Sequence, residues 1–152
     1  MKNTIDTTDT RNTPEPAQEV TPAELLEAEL NGYTCTDHYY KLPFFRRPIL
    51  FTDGARAMAE KAEAFWLLQE INIAAIKSPK FFDSFWLVRL KVSKTMEGIL
   101  QIAYDTDADG RIIDAEGNHR AEYTARFPFT DFPQGRFEMY LSNGILLLKG
   151  EY

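Results

Sequence analysis

At Phe81 the spacing of apolar residues changes, and this change restricts the fold more than any other feature of the chain. Upstream, over residues 52–76, apolar side chains recur with a helical period. Met58, Ala62, Phe65, Ile73 and Ile76 share one face, and Arg56, Glu60, Glu63 and Glu70 share the opposite one. Residues 55–64 are nearly all strong helix formers. Thr52 or Asp53 can cap the start with a side-chain oxygen, and Asp53 also suits the positive end of the helix dipole. Ser78–Pro79 stops the helix, because the residue before a proline disfavours α geometry. Leu67 and Ile71 interrupt the polar face, so the second half is expected to be covered on two sides. The run Phe65–Trp66–Leu67–Leu68 reads as core packing rather than as a ligand box, since apolar stripes at helical spacing face a core.

Downstream the period is two. Trp86, Val88, Leu90 and Val92 point one way, Arg89 and Lys91 the other. Leu100, Ile102 and Tyr104 form a second apolar face. Tyr123, Ala125, Phe127 and Phe129 alternate with polar residues, as do Phe137, Met139 and Leu141. Ser142–Asn143–Gly144 is a tight hairpin turn into Ile145–Leu146–Leu147–Leu148, which is apolar on both sides, as an inner strand is. Helices first and strands afterwards make an α+β protein. The expected architecture is an antiparallel β-meander of about five strands packed on one long helix, with a short N-terminal helix.

That short helix starts at Thr21–Pro22–Ala23–Glu24, a capping box with proline in the first turn. Asn31–Gly32 is expected to end it in left-handed geometry. Residues 1–20 hold almost nothing apolar and read as a flexible tail, leaving 21–152 as a single α+β domain. The prolines at 43 and 48 make residues 33–51 an irregular connection, and Arg46–Arg47 reads as a solvated pair. A chain of 152 residues, 44% hydrophobic and 13% aromatic, can bury a sizeable core. Its net charge of −6 argues against general nucleic-acid binding. A lone Cys35 excludes an internal disulfide and a cysteine-rich zinc module. With no transmembrane run and no signal peptide, the expected location is cytoplasmic, away from membranes.

Several segments resemble, in order, a family of small bacterial proteins known only as a domain of unknown function. They are Tyr39–Tyr40, Phe51–Thr52–Asp53–Gly54, Trp66–Leu67–Leu68 and Thr130–Asp131–Phe132–Pro133, followed by Leu141, Gly144, Leu146–Leu147–Leu148 and Glu151–Tyr152. The resemblance spans residues 30–152 and implies an intracellular protein carried by bacteria, phages or plasmids. It implies no activity. The chain departs from the family between Asp105 and Asn118, where a longer acidic loop replaces a short turn.

That loop, residues 105–116, fits the calcium pattern D-x-[DN]-x-[DN]-G-x5-E at each required position. Asp105, Asp107 and Asp109 would supply carboxylates, Arg111 its carbonyl, and Glu116 both carboxylate oxygens, with Gly110 allowing the turn. The flanks lack the paired helices of an EF-hand, so the alternative is an acidic hairpin left in water. Cofactors are therefore none, or Ca²⁺.

Catalytic signals are sparse. Cys35 and His38, with Asp37 between them, are too close in sequence to make a convincing nucleophile pair. His119 lies beside a turn. Asp53 and Asp131 read as a helix cap and a turn residue rather than as two carboxylates of one site. The chain is read as more plausibly a small acidic protein-interaction module, an accessory or inhibitor protein with an unknown protein partner, than as an enzyme. A calcium-stabilised binding domain and a small hydrolase are the alternatives.

Overall fold

The computed structural model describes residues 20–152, so the expected tail lies, apart from Val20, outside the described residues. Helix α1 (Pro22–Glu29) begins as its sequence requires: Thr21 accepts from the Glu24 backbone N–H, and Glu24 returns a bond to the Thr21 backbone. It ends earlier than Asn31–Gly32, and neither of those residues takes a positive φ. Two short strands follow, β1 (Tyr39–Tyr40) and β2 (Leu50–Thr52).

The expected long helix is two helices. α2 (Asp53–Lys61) starts at Thr52, whose Oγ1 accepts from the Ala55 N–H at 3.2 Å. The chain then breaks at residues 62–64, and α3 (Phe65–Lys77) runs on to Ser78–Pro79. Neither glycine nor proline marks the break. Glu63 takes the left-handed φ of 53°, and the Ala64 N–H bonds back to the Ala59 carbonyl at 2.8 Å. This is a Schellman ending in which glutamate occupies the position glycine prefers. The break also shifts the phase of α3. Phe65 and Ile76, expected in the core, are 42% and 45% exposed, whereas Leu67, Leu68 and Ile71 are fully buried.

The remaining strands are β3 (Phe85–Val92), β4 (Gly98–Ala103), a small hairpin of β5 (Asp105–Thr106) and β6 (Ile112–Ile113), β7 (Tyr123–Phe127), β8 (Gly135–Ser142) and β9 (Ile145–Leu148). All five expected strands exist, but they do not form a meander. The seven-stranded sheet has the order β1-β2-β9-β8-β3-β4-β7. After β7 the chain crosses the end of the sheet and enters β8 on the far side of β3, where all eight residues of β3 pair with β8. β9 then turns back at Asn143–Gly144, with φ values of 50° and 79° as an Asn-Gly hairpin needs. It pairs in parallel with β2, the one parallel pairing in an otherwise antiparallel sheet.

One sheet face carries the core. Trp86, Val88 and Leu90 of β3, Leu100 and Ile102 of β4, and Phe137, Met139 and Leu141 of β8 join Met58, Leu67, Leu68 and Ile71 in a single buried cluster. Each fully buried side chain of this size contributes about 1.5–3 kcal/mol. Phe81, edge-on to Trp86 at 5.0 Å, closes one end. Tyr104 and Phe129, expected on the core face, are exposed because both lie just beyond the end of their strands.

Candidate functional site

Three of the segments that carried the family resemblance, those around Tyr40, Thr52–Gly54 and Leu148–Glu151, meet at the start of α2. The Glu151 carboxylate accepts from Thr52 Oγ1 at 2.6 Å, from the Leu148 N–H at 2.9 Å and from the Gly54 N–H at 3.0 Å. It thereby ties the last turn of the chain to the positive N-terminus of α2. Gly54 is required by closeness: a Cβ there would lie 2.5 Å from Glu151 Oε1. Asp53 turns the other way, accepting from the Asp37 N–H at 2.9 Å and the Tyr40 hydroxyl at 2.8 Å. These bonds, the Asp37 amide first, hold its carboxyl below the usual range. His38 Nδ1 stands 3.9 Å from Asp53, and Cys35 is exposed. Asp131 sits in the β7–β8 crossover beside Trp66 and Phe127, near the opposite edge of the sheet from Asp53. The structure does not bring Asp53 and Asp131 into one site.

In the acidic hairpin four of the five expected ligands are bonded within the loop. Asp107 accepts from the Asp109 and Arg111 N–H groups at 2.9 Å each, and its second oxygen lies 3.2 Å from Arg111 Nε and 2.9 Å from His119 Nε2. The Arg111 amide bond leads the causes that bring its carboxyl down to about 2. The Arg111 carbonyl accepts from the Asp107 N–H, Asp105 caps the Thr106 N–H, Asp109 pairs with Arg111, and Glu116 is exposed. The buried carboxylate of the region is Asp114, absent from the sequence-based set, which accepts from Arg120 Nε at 2.7 Å. Among the described residues no three carboxylates, imidazoles or thiols are grouped to hold a metal ion.

A different surface emerges on the sheet face turned away from α2 and α3. Register places Arg126, Ile99, Lys91 and Arg136 in one row across β7, β4, β3 and β8. The next row holds Thr124, Gln101, Arg89 and Glu138, and the following one Ala103, Leu87 and Tyr140. Two concavities of about 590 Å³ and 560 Å³ lie over these rows and share Arg136.

The floor of the second is an ion pair between two side chains on the polar side of the period-two pattern. Arg89 is only 7% exposed and Glu138 15%, with Arg89 Nε 2.6 Å from Glu138 Oε2. Lys149 donates to the other Glu138 oxygen at 3.0 Å, and Arg136 stands 3.6 Å away. Burial raises the Glu138 carboxyl, but the bonds from Lys149 and Arg89 outweigh it and hold the group below its usual range. Arg89 also donates to the Gly110 carbonyl at 2.9 Å, which draws the acidic hairpin over the sheet as one wall. Phe85, Tyr140 and Tyr152, with ring centroids 4.7–5.4 Å apart, form another. Sequence reasoning missed this surface because its cations are spread over three strands, and only the crossover into β8 brings Arg136 and Glu138 beside Lys91 and Arg89.

Fold and site define an α+β protein with α2 and α3 on one sheet face and a charged, aromatic-walled trough on the other. The chain belongs to a family of unknown function, DUF6876, whose model matches residues 24–152. No curated protein and no solved structure matches it. No helix among the described residues is long and apolar enough to cross a membrane.

Proposed function

We propose that the protein is an interaction module, an accessory or inhibitor protein of bacterial, phage or plasmid origin that recognises a partner protein through the trough on the open sheet face. The observation that supports this reading is the row Arg126–Lys91–Arg136, exposed beside apolar side chains, in a chain whose net charge is −6. Charge of one sign concentrated in a concavity favours a complementary surface and speeds encounter with it. The polar clusters elsewhere, around Glu151, Asp53 and Asp107, are satisfied within the fold.

The test is affinity capture from a bacterial host lysate with the wild-type chain and with Arg136→Glu. Arg136 is about half exposed and lines both concavities, so its replacement leaves the core intact. A stoichiometric protein retained by the wild type and released by Arg136→Glu is the expected result. Retention of no protein, or equal retention by both, would overturn the reading.

A further inference from the structure

We propose that the edge strand β7 takes up an extended segment of the partner protein whose side chains alternate between acidic and apolar. This deepens the interaction-module reading and rests on it.

Three observations converge on β7. It is the last strand of the sheet and pairs only with β4 among the described residues, so one row of its backbone groups is open. An open edge is a template for strand addition, in which main-chain bonds give affinity and alternate side chains give specificity. Its two faces offer different surroundings. On the trough side Arg126 leads into the row with Lys91 and Arg136, and Lys91 and Arg126 make no ion pair among the described residues. Among the described residues Glu97 is the single acid lining that concavity. On the helix side Phe127 meets Trp66 edge-on at 5.3 Å, and these two rings with the 71% exposed Phe129 line a hollow of about 270 Å³.

A strand added beside β7 would lie about 4.8 Å away, with successive side chains on opposite faces. One set then falls against the cations and the other against Trp66, Phe127 and Phe129. The occupant is accordingly acidic on one face and apolar on the other. A single-stranded nucleic acid fits less well. Beside the basic row the concavity offers one ring, Phe127, while Trp66 and Phe129 line the separate hollow on the helix side, so the row lacks the run of rings on which successive bases would stack.

The probe is an acetylated octapeptide of alternating Glu and Val, with Lys–Val and Gln–Val peptides and a thymidine oligonucleotide as comparisons. Binding is followed by titration, and its place by amide hydrogen exchange of the full chain. The expected result is Glu–Val binding that slows exchange at residues 123–127 and weakens at least about tenfold in Arg126→Glu, where attraction becomes repulsion. Phe129→Ala, an exposed position, should weaken it too. In Arg126→Glu/Lys91→Glu the preference should pass to the Lys–Val peptide. The proposal is overturned if Glu–Val does not bind, if it binds without protecting β7, or if the oligonucleotide binds in its place. Partner capture that depends on Arg136 while the peptide fails at β7 would retain the module and refute strand addition. Loss of capture together with β7 binding would do the reverse.

Discussion

Glu151→Ala should destabilise the protein far more than an ordinary surface substitution does. The carboxylate accepts three bonds, from Thr52 Oγ1, Leu148 N–H and Gly54 N–H, at 2.6, 2.9 and 3.0 Å. Gly54 and Leu148 are buried, and among the described residues the Glu151 carboxylate is the side-chain acceptor of both N–H groups. Leaving a buried donor unsatisfied costs about 1–3 kcal/mol, and bonds to charged groups contribute about 1.5–3 kcal/mol each. Water can enter the space vacated at this half-buried site, so the sum is discounted to about 2–4 kcal/mol. For a chain of this size each kcal/mol moves Tm by about 2–4 °C, which predicts a fall of roughly 5–15 °C.

Glu151→Gln keeps one oxygen for Thr52 and Leu148 but turns an amide toward the Gly54 N–H, so it should fall between wild type and Ala. Gly54→Ala places a Cβ 2.5 Å from the same carboxylate oxygen and 2.7 Å from Leu148 Cδ1. Its cost should therefore be partly shared with that of Glu151→Ala, giving a double-mutant cycle that is not additive. The assay is urea unfolding at fixed pH, with exchange of the Gly54 amide as the local readout. A Glu151→Ala change below about 0.5 kcal/mol, the size of an ordinary surface substitution, would refute the reasoning.

Glu63→Gly should stabilise the chain by about 0.5–1 kcal/mol in the same unfolding assay, because the left-handed position between α2 and α3 costs a residue with a Cβ more than it costs glycine. Breaking the trough's ion pair with Arg89→Met should cost about 2–3 kcal/mol by leaving Glu138 half-buried with only Lys149 and Arg136, and Glu138→Leu added to it should recover most of the loss. Acid should loosen the fold before it loosens the core. Asp53, Asp107, Asp114 and Glu138 all have folded-state pKa values held below the ordinary range, so their stabilisation is full above about pH 4.5 and is lost as pH falls. Asp107 should hold out to about pH 2, which a carboxyl titration by NMR would check. Calcium at millimolar concentration should leave Tm unchanged, since Asp107 and the Arg111 carbonyl are already bonded within the loop. A rise of several degrees, abolished in Asp105→Ala, would establish the calcium site instead.

The sequence by itself determined the α+β class, the capping of α1 and α2, the stop at Ser78–Pro79, the Asn143–Gly144 hairpin and the five principal strands. Each of these is set by neighbours within a few residues, through a cap, a proline or an alternating pattern. It also placed Thr52, Asp53 and Gly54 beside a helix start, though not in contact with Glu151. Only the tertiary structure decided the break at Glu63, because the residues around it all favour helix and the Schellman ending answers to packing of α3 on the sheet. It decided the strand order as well: alternation says that β8 is a strand with Phe137 facing inward but not that it lies beside β3. That pairing made Arg89, on the polar side of β3, the buried partner of Glu138 and aligned Lys91 with Arg136. The physical reason is range. Periodicity reports which side of an element is apolar, whereas the trough arises from which elements become neighbours, and that is fixed by long-range burial of the shared core.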